Sequence, residues 1–267
     1  MKSRRQFLKV ASLSVLGLAG ALPGVARAAE AAQGTIGALQ APAYAVGQEA
    51  LQGKHWGMVI NTRAFDTPEK FAAVIRACHR HHNVPTINSK REIKWIWTDG
   101  YRETFTDQMD NYPARDVLER QYLMLCNQCV NPACVRVCPT RATFRLPSAG
   151  GVVVMDYHRC IGCRFCMAAC PYGARSFNFD DPRRHLRGED INPAFPTRMR
   201  GVVEKCTFCS QLLAVGQQPL CVEASQGAIV FGDLSDPASE VRKVLAENFT
   251  IRRKPTLGTE PSVYYII

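Results

Sequence analysis

Apolar and polar positions divide the chain into short elements separated by turn residues. An apolar stretch runs from Val10 to Leu22; its 13 residues fall short of the roughly 20 that span a bilayer as a helix. Trp56-Gly57-Met58-Val59-Ile60 reads as a buried strand. Thr67-Pro68 then opens a helix on which Phe71, Val74, Ile75 and Cys78 recur at i, i+3, i+4 and i+7, a one-sided apolar stripe. Residues 142–145 and 152–155 flank the turn Pro147-Ser148-Ala149-Gly150-Gly151 and predict a hairpin. Residues 227–231 predict another short strand. Asp236-Pro237 then predicts a helix, with Asp as N-cap and Pro at the first position, carrying Val241, Val244 and Leu245; residues 251–267 read as extended.

The N-terminal stretch changes the picture of compartment. Ser3-Arg4-Arg5-Gln6-Phe7-Leu8-Lys9 is a twin-arginine pattern, the apolar stretch follows it, and Ala26-Arg27-Ala28 is a small-residue cleavage site. Residues 1–28 are therefore expected to be a twin-arginine signal peptide, with retention as a membrane anchor the alternative. That route exports folded cargo to the periplasm, and the remaining chain has no spanning segment of its own. Residues 29–53, rich in Ala, Gly and Gln, read as a flexible lead-in. The formal charge of +10 falls to +5 without the first 28 residues, which hold five Lys/Arg and no Asp/Glu. The basic balance of the whole chain is thus no argument for a nucleic-acid partner.

The chemistry lies in the twelve cysteines. They form the runs Cys126-x2-Cys129-x4-Cys134-x3-Cys138-Pro139, Cys160-x2-Cys163-x2-Cys166-x3-Cys170-Pro171 and Cys206-x2-Cys209-x11-Cys221, with Cys78 alone upstream. The second run has the spacing of the bacterial two-cluster ferredoxin run, in which three thiolates hold one cluster and the fourth reaches its neighbour. Four cysteines within eleven residues do not match the separated C-x2-C pairs of a structural zinc site. No C-x2-C pair is followed by His, which excludes c-type haem attachment. An exported chain also admits disulfides, so a metal-free disulfide-stabilised binding module is the rival from another class.

Applied along the chain, the exchange of fourth ligands predicts three [4Fe–4S] sites. Site A takes Cys126, Cys129, Cys134 and Cys170; site B takes Cys160, Cys163, Cys166 and Cys138; site C takes Cys206, Cys209, Cys221 and Cys78. The third run has Ser225-Gln226 where a fourth cysteine and a proline would stand, and the stretch from Asn61 to Ala77 lacks the triplet that would serve the same cluster. All four ligands of one further cluster are absent together. For Cys78 the alternative is a buried free thiol on the apolar stripe. At about two negative charges for each four-iron cluster with four thiolates, the loaded protein comes close to neutral.

Other residues carry weaker signals. His79, His81 and His82 at the end of the first helix read as solvated histidines favoured by the helix dipole. Arg159, Arg164 and Lys205 flank cluster cysteines, and both a potential-raising role and surface solubility account for them. No nucleotide loop, nucleophile–base pair or paired catalytic carboxylate stands out, so no catalytic residue is expected.

The fold expected is α+β, with two interlocked ferredoxin-like modules, short antiparallel hairpins, small helices and irregular extensions. The tandem iron–sulfur domain would span 54–235, with a central module over about 117–180 and a discontinuous one pairing 56–85 with 201–234; residues 236–267 would form a C-terminal helix and extended tail.

The cysteine runs resemble those of NrfC/DmsB-like ferredoxin-type electron-transfer subunits, which accompany molybdopterin oxidoreductases and NrfD-like membrane proteins. The segments Glu92-Ile93-Lys94-Trp95-Ile96-Trp97, Cys160 to Gly173, and Arg253-Lys254-Pro255 to Tyr265 look more specifically like the DsrO-type periplasmic subunits of DsrMKJOP complexes in dissimilatory sulfur metabolism. This resemblance implies a polytopic, quinone-interacting NrfD-like membrane partner, a multihaem cytochrome c and further membrane redox subunits. It implies a carrier of single electrons with no bond-making chemistry of its own. The rival within the family is the electron-transfer subunit of a periplasmic molybdopterin oxidoreductase, such as a tetrathionate or polysulfide reductase.

Overall fold

The computed structural model describes residues 46–108, 112–186 and 191–267, so the signal and most of the lead-in lie outside the described residues. Strand β1 (Trp56–Asn61) is buried through its first five residues. Met58 and Ile60 face the main core, while Val59 packs on the opposite side with Leu234 and Val241. A strand covered on both faces explains the continuous apolar run. Helix α1 (Pro68–His81) begins at the expected Thr67-Pro68 and buries Phe71, Val74 and Cys78.

Strands β2 (Ile96–Asp99) and β3 (Tyr122–Leu125) pair antiparallel and lead into the first cysteine run. Within that run, Ala133–Arg136 forms the single-turn helix α2. The predicted hairpin is present as β4 (Thr143–Leu146) and β5 (Val152–Met155). Its turn needs Gly150 at φ 71°, where a Cβ would meet the Trp56 ring at 2.2 Å. Helix α3 (Phe165–Ala168) lies in the second run and packs against α2. Strands β6 (Ser176–Phe177) and β7 (Val203–Glu204) form a short antiparallel pair before the third run. That run contains α4 (Ser210–Leu213) and α5 (Leu220–Ala224), and α5 packs on α1.

Strand β8 (Ile229–Asp233) returns antiparallel to β1. The next helix, α6 (Glu240–Glu247), starts later than the Asp236-Pro237 signal indicates, with Ser239 at its N-cap. Asp236 instead makes a local turn, its Oδ1 accepting from Ala238 N at 2.9 Å, the conformation in which an Asp side chain competes with helix initiation. After β9 (Thr250–Ile251), strand β10 (Val263–Ile266) lies parallel to β1. The four-stranded sheet therefore runs β8-β1-β10-β9. Within the tail read as extended, a 3-10 turn at Pro255–Leu257 interrupts the chain, and Val263–Ile266 is an inner strand of the sheet. The elements are those of an α+β protein. Among the described residues no helix is long and apolar enough to cross a membrane.

Candidate iron–sulfur centres

The first C-x2-C element of each run reverses its backbone at the third residue, whereas Cys163-Arg164-Phe165-Cys166 reverses at the second, Arg164, with φ 63°. Gln128, Gly162 and Phe208 have φ of 45°, 69° and 54°. Left-handed conformations cost roughly 1–2 kcal/mol for residues other than glycine. Phe208 bears that cost while 1% exposed, and such strain concentrates at functional sites. Gly162 has a further constraint, because a Cβ there would lie 2.3 Å from the Gly201 carbonyl.

Cys126, Cys129, Cys134 and Cys170 line one small cavity. Burial pushes the Cys129 thiol up to about 12, helped by Cys126, Cys134 and Cys170 and opposed by a hydrogen bond with Thr259. Asn127 lines the same cavity, is 1% exposed, and has neither Nδ2 nor Oδ1 partnered within the protein. An orphaned amide donor beside four thiols fits a group with acceptor sulfurs.

Cys138, Cys160, Cys163 and Cys166 line a second cavity. Cys163 is exposed, and Ile161 and Phe165 beside it are 67% and 59% exposed. Burial raises Cys166, opposed by Arg175. Cys138 is displaced downward: its partial desolvation is outweighed by hydrogen bonds from the Thr143 backbone, the Thr140 side chain and the Ala142 and Thr140 backbones.

The third set is enclosed. Cys78, Cys206, Cys209 and Cys221 are all buried. Burial, then the proximity of Cys206, Cys209 and Cys221, holds the Cys78 thiol well above its usual range. Cys206 and Cys209 are each pushed up to about 12, chiefly by burial. The lone upstream cysteine is thus brought to the third run by the packing of α1 on α5.

Among the described residues no three His, Cys, Asp or Glu side chains close around a single metal ion. All twelve cysteines are free of disulfides. What the fold offers is three sets of four soft sulfur donors, two of them around small cavities, and this donor set suits iron–sulfur clusters. Sites A and B adjoin through Cys134 and Cys166, and sites A and C through Cys126 and Cys206, each pair close enough to perturb one member's ionisation.

Several neighbouring residues depart from the sequence-based expectation. His82 is fully buried, its ring tilted over Trp95 at a centroid distance of 4.7 Å. Its Nδ1 donates to the Cys78 carbonyl at 2.8 Å and its Nε2 accepts from Gln211, an arrangement that requires neutral imidazole. Burial accordingly lowers His82 to about 3 and His79 to about 4. His82 is a core histidine, because α1 ends inside the protein, and His79 is half-buried. Lys205 is 0% exposed, which removes the surface-solubility reading for it. Arg159 and Arg164 are exposed, Arg159 paired with Asp156 and Arg164 lying over the Phe177 and Phe179 rings. Arg175 and Asn127, absent from the expected residues, both reach site A; the only local signal for Arg175 is its position just past Cys170-Pro171-Tyr172-Gly173.

A family model described as a 4Fe-4S dicluster domain matches residues 121–183. The Hdr-like menaquinol oxidoreductase iron-sulfur subunit 1 of Archaeoglobus fulgidus is 38% identical over 240 residues, 82% of this chain and 85% of that protein. The menaquinone reductase iron-sulfur cluster-binding subunit of Nitratidesulfovibrio vulgaris is 37% identical over 238 residues, 79% of this chain and 88% of that protein. The NrfC homologue of Haemophilus influenzae is 33% identical over 227 residues, 84% of this chain and 85% of that protein. The protein belongs to the NrfC/DmsB-like family of [4Fe–4S] iron–sulfur subunits. It is an electron-transfer subunit of an oxidoreductase complex.

Proposed function

We propose that the protein relays single electrons through three [4Fe–4S] clusters between a quinone-interacting NrfD-like membrane subunit and another redox protein. The observation that carries this reading is the gathering of Cys78 with Cys206, Cys209 and Cys221, which completes a third set of four buried thiols. The clusters supply reversible one-electron chemistry. The protein supplies thiolates, burial, hydrogen bonds and nearby charge, which set their potentials. In this reading sites A, B and C are the ligand sets named from the sequence, and the fourth cluster is absent as a unit.

The complex we favour is of the DsrMKJOP type, in dissimilatory sulfur metabolism, with a multihaem cytochrome c and further membrane redox subunits. Residues 1–28 would direct the folded, cluster-loaded protein to the periplasm by the twin-arginine route, and the partners would hold it at the membrane. The menaquinol and menaquinone names of two relatives that span most of this chain support quinone chemistry in a partner. A second reading, the electron-transfer subunit of a molybdopterin reductase acting on polysulfide or tetrathionate, is favoured by similarity to components of polysulfide and tetrathionate reductases.

Isolation of the native complex from membranes tests the proposal. It predicts co-purification with a polytopic subunit and reduction of the bound clusters by menaquinol. Co-purification with a large molybdopterin subunit contradicts the favoured complex and supports the second reading.

A further inference from the structure

Two cations are buried where neighbouring cysteine sets meet. Arg175 is 4% exposed. Its Nη2 donates to Cys134 Sγ at 2.9 Å and to Thr143 Oγ1 at 2.8 Å, and its Nη1 to Met155 Sδ at 3.0 Å. Cys134 belongs to site A, while Thr143 and Met155 line the cavity of site B. Its charge acts on Cys134 and Cys126 of one set and on Cys166 of the other. Among the described residues its side-chain partners include no carboxylate.

Lys205 occupies the corresponding place between sites A and C. It is 0% exposed. Its Nζ donates to the carbonyls of Val153, which lines the site A cavity, and of Cys206, in site C. Gln128, inside the first cysteine run, bonds the same two residues: its Nε2 donates to Cys206 O at 3.0 Å, and its Oε1 accepts from Val153 N at 2.7 Å. No carboxylate partners Lys205 among the described residues.

An isolated buried cation is costly unless an opposite charge compensates it. At both places the available negative charge is that of cysteine thiolates and whatever they bind. A cation close to a cluster stabilises the added electron and raises the reduction potential.

We propose that Arg175 and Lys205 are charge couplers, each shared by two adjoining iron–sulfur sites: Arg175 raises the potentials of sites A and B, and Lys205 those of sites A and C. Site A, flanked by both, receives the larger total shift. With clusters bound, Arg175 and Lys205 would hold positive charge beside them, and single electrons would pass between neighbouring clusters without a bond made or broken. The inference rests on the three-cluster reading, and iron content of the wild-type protein tests that reading separately.

The test is a redox titration, followed by electron paramagnetic resonance, of anaerobically purified holoprotein carrying Arg175→Gln, Arg175→Lys, Lys205→Gln or Lys205→Arg. Arg175→Gln is expected to weaken reduction at least tenfold, about 59 mV for one electron, at two of the three clusters. Lys205→Gln should do the same at two clusters, with one cluster common to both variants. The charge-retaining variants should stay close to wild type, and they decide the matter if a neutral variant fails to retain iron. Equal shifts at all three clusters, no shift, or a shift in Arg175→Lys as large as in Arg175→Gln would overturn the coupling role.

Discussion

Arg198 Nε donates to Glu204 Oε2 at 2.7 Å, with both side chains fully buried. The pair sits at the centre of a network that holds site C together. Glu204 also accepts from Trp95 Nε1 at 2.7 Å and from Asn178 Nδ2 at 2.6 Å. Arg198 Nη1 donates to the His82 carbonyl and Nη2 to the Asn83 carbonyl at 2.7 Å. The end of α1, one turn past Cys78, is thereby tied to β7, two residues before Cys206.

Removing one member of this pair leaves the other charge buried and uncompensated. Arg198→Met is expected to destabilise the protein by about 3–5 kcal/mol, measured as a lowered denaturation midpoint. The cluster that contains Cys78 should be lost first, seen as the selective decline of one spectroscopic signal.

The pairing of Cys78 with the third run gives a second expectation. Cys78→Ser and Cys206→Ser should impair the same cluster, while Cys134→Ser should impair another. Spectra in which the first two variants alter different clusters would break site C as described.

At Ser225 the hydroxyl donates to Val222 O at 2.7 Å and accepts from Ile229 N at 3.0 Å. It joins the end of α5 to β8. In the cysteine-free stretch, Phe65 stacks on Phe71 with centroids 4.9 Å apart, contributing to the main core. Ser225→Cys is therefore expected to add no iron. Ser225→Ala should cost about 1–3 kcal/mol by leaving the Ile229 N–H without its acceptor, measurable by denaturant titration.

Exposure separates the three sites. Cys163 lies at the surface, whereas all four cysteines of site C are buried. A chelator added under mildly oxidising conditions should strip site B before site C, so that the first third of the iron is lost with the signal of the cluster that Cys163→Ser also removes. Initial loss from the cluster shared by Cys78 and Cys206 would contradict this order.

Much of this arrangement is legible in the sequence because its signals are local. The Thr67-Pro68 start of α1, the glycine turn between β4 and β5, and the spacing of the cysteines each depend on a few adjacent residues. The parallel pairing of β10 with β1 joins residues some 200 positions apart and leaves no local trace beyond an extended tail. Burial of His82 and Lys205 is equally non-local: polarity and position at a helix or strand end suggest solvent, whereas His82 is covered by Trp95 and Lys205 reaches inward to the carbonyls of Val153 and Cys206. Asn127 and Arg175 are ordinary polar residues in sequence. Their significance comes from an unpartnered amide in the site A cavity and a guanidinium between two sites.

The most direct measurement of the central claim is the iron and acid-labile sulfide content of protein purified anaerobically with its clusters intact. Three complete sets of four cysteines predict about twelve of each per molecule. About eight would mean that Cys78 and the third run hold no four-iron cluster, and about sixteen would mean that a fourth is bound without the ligands described; either result contradicts the account.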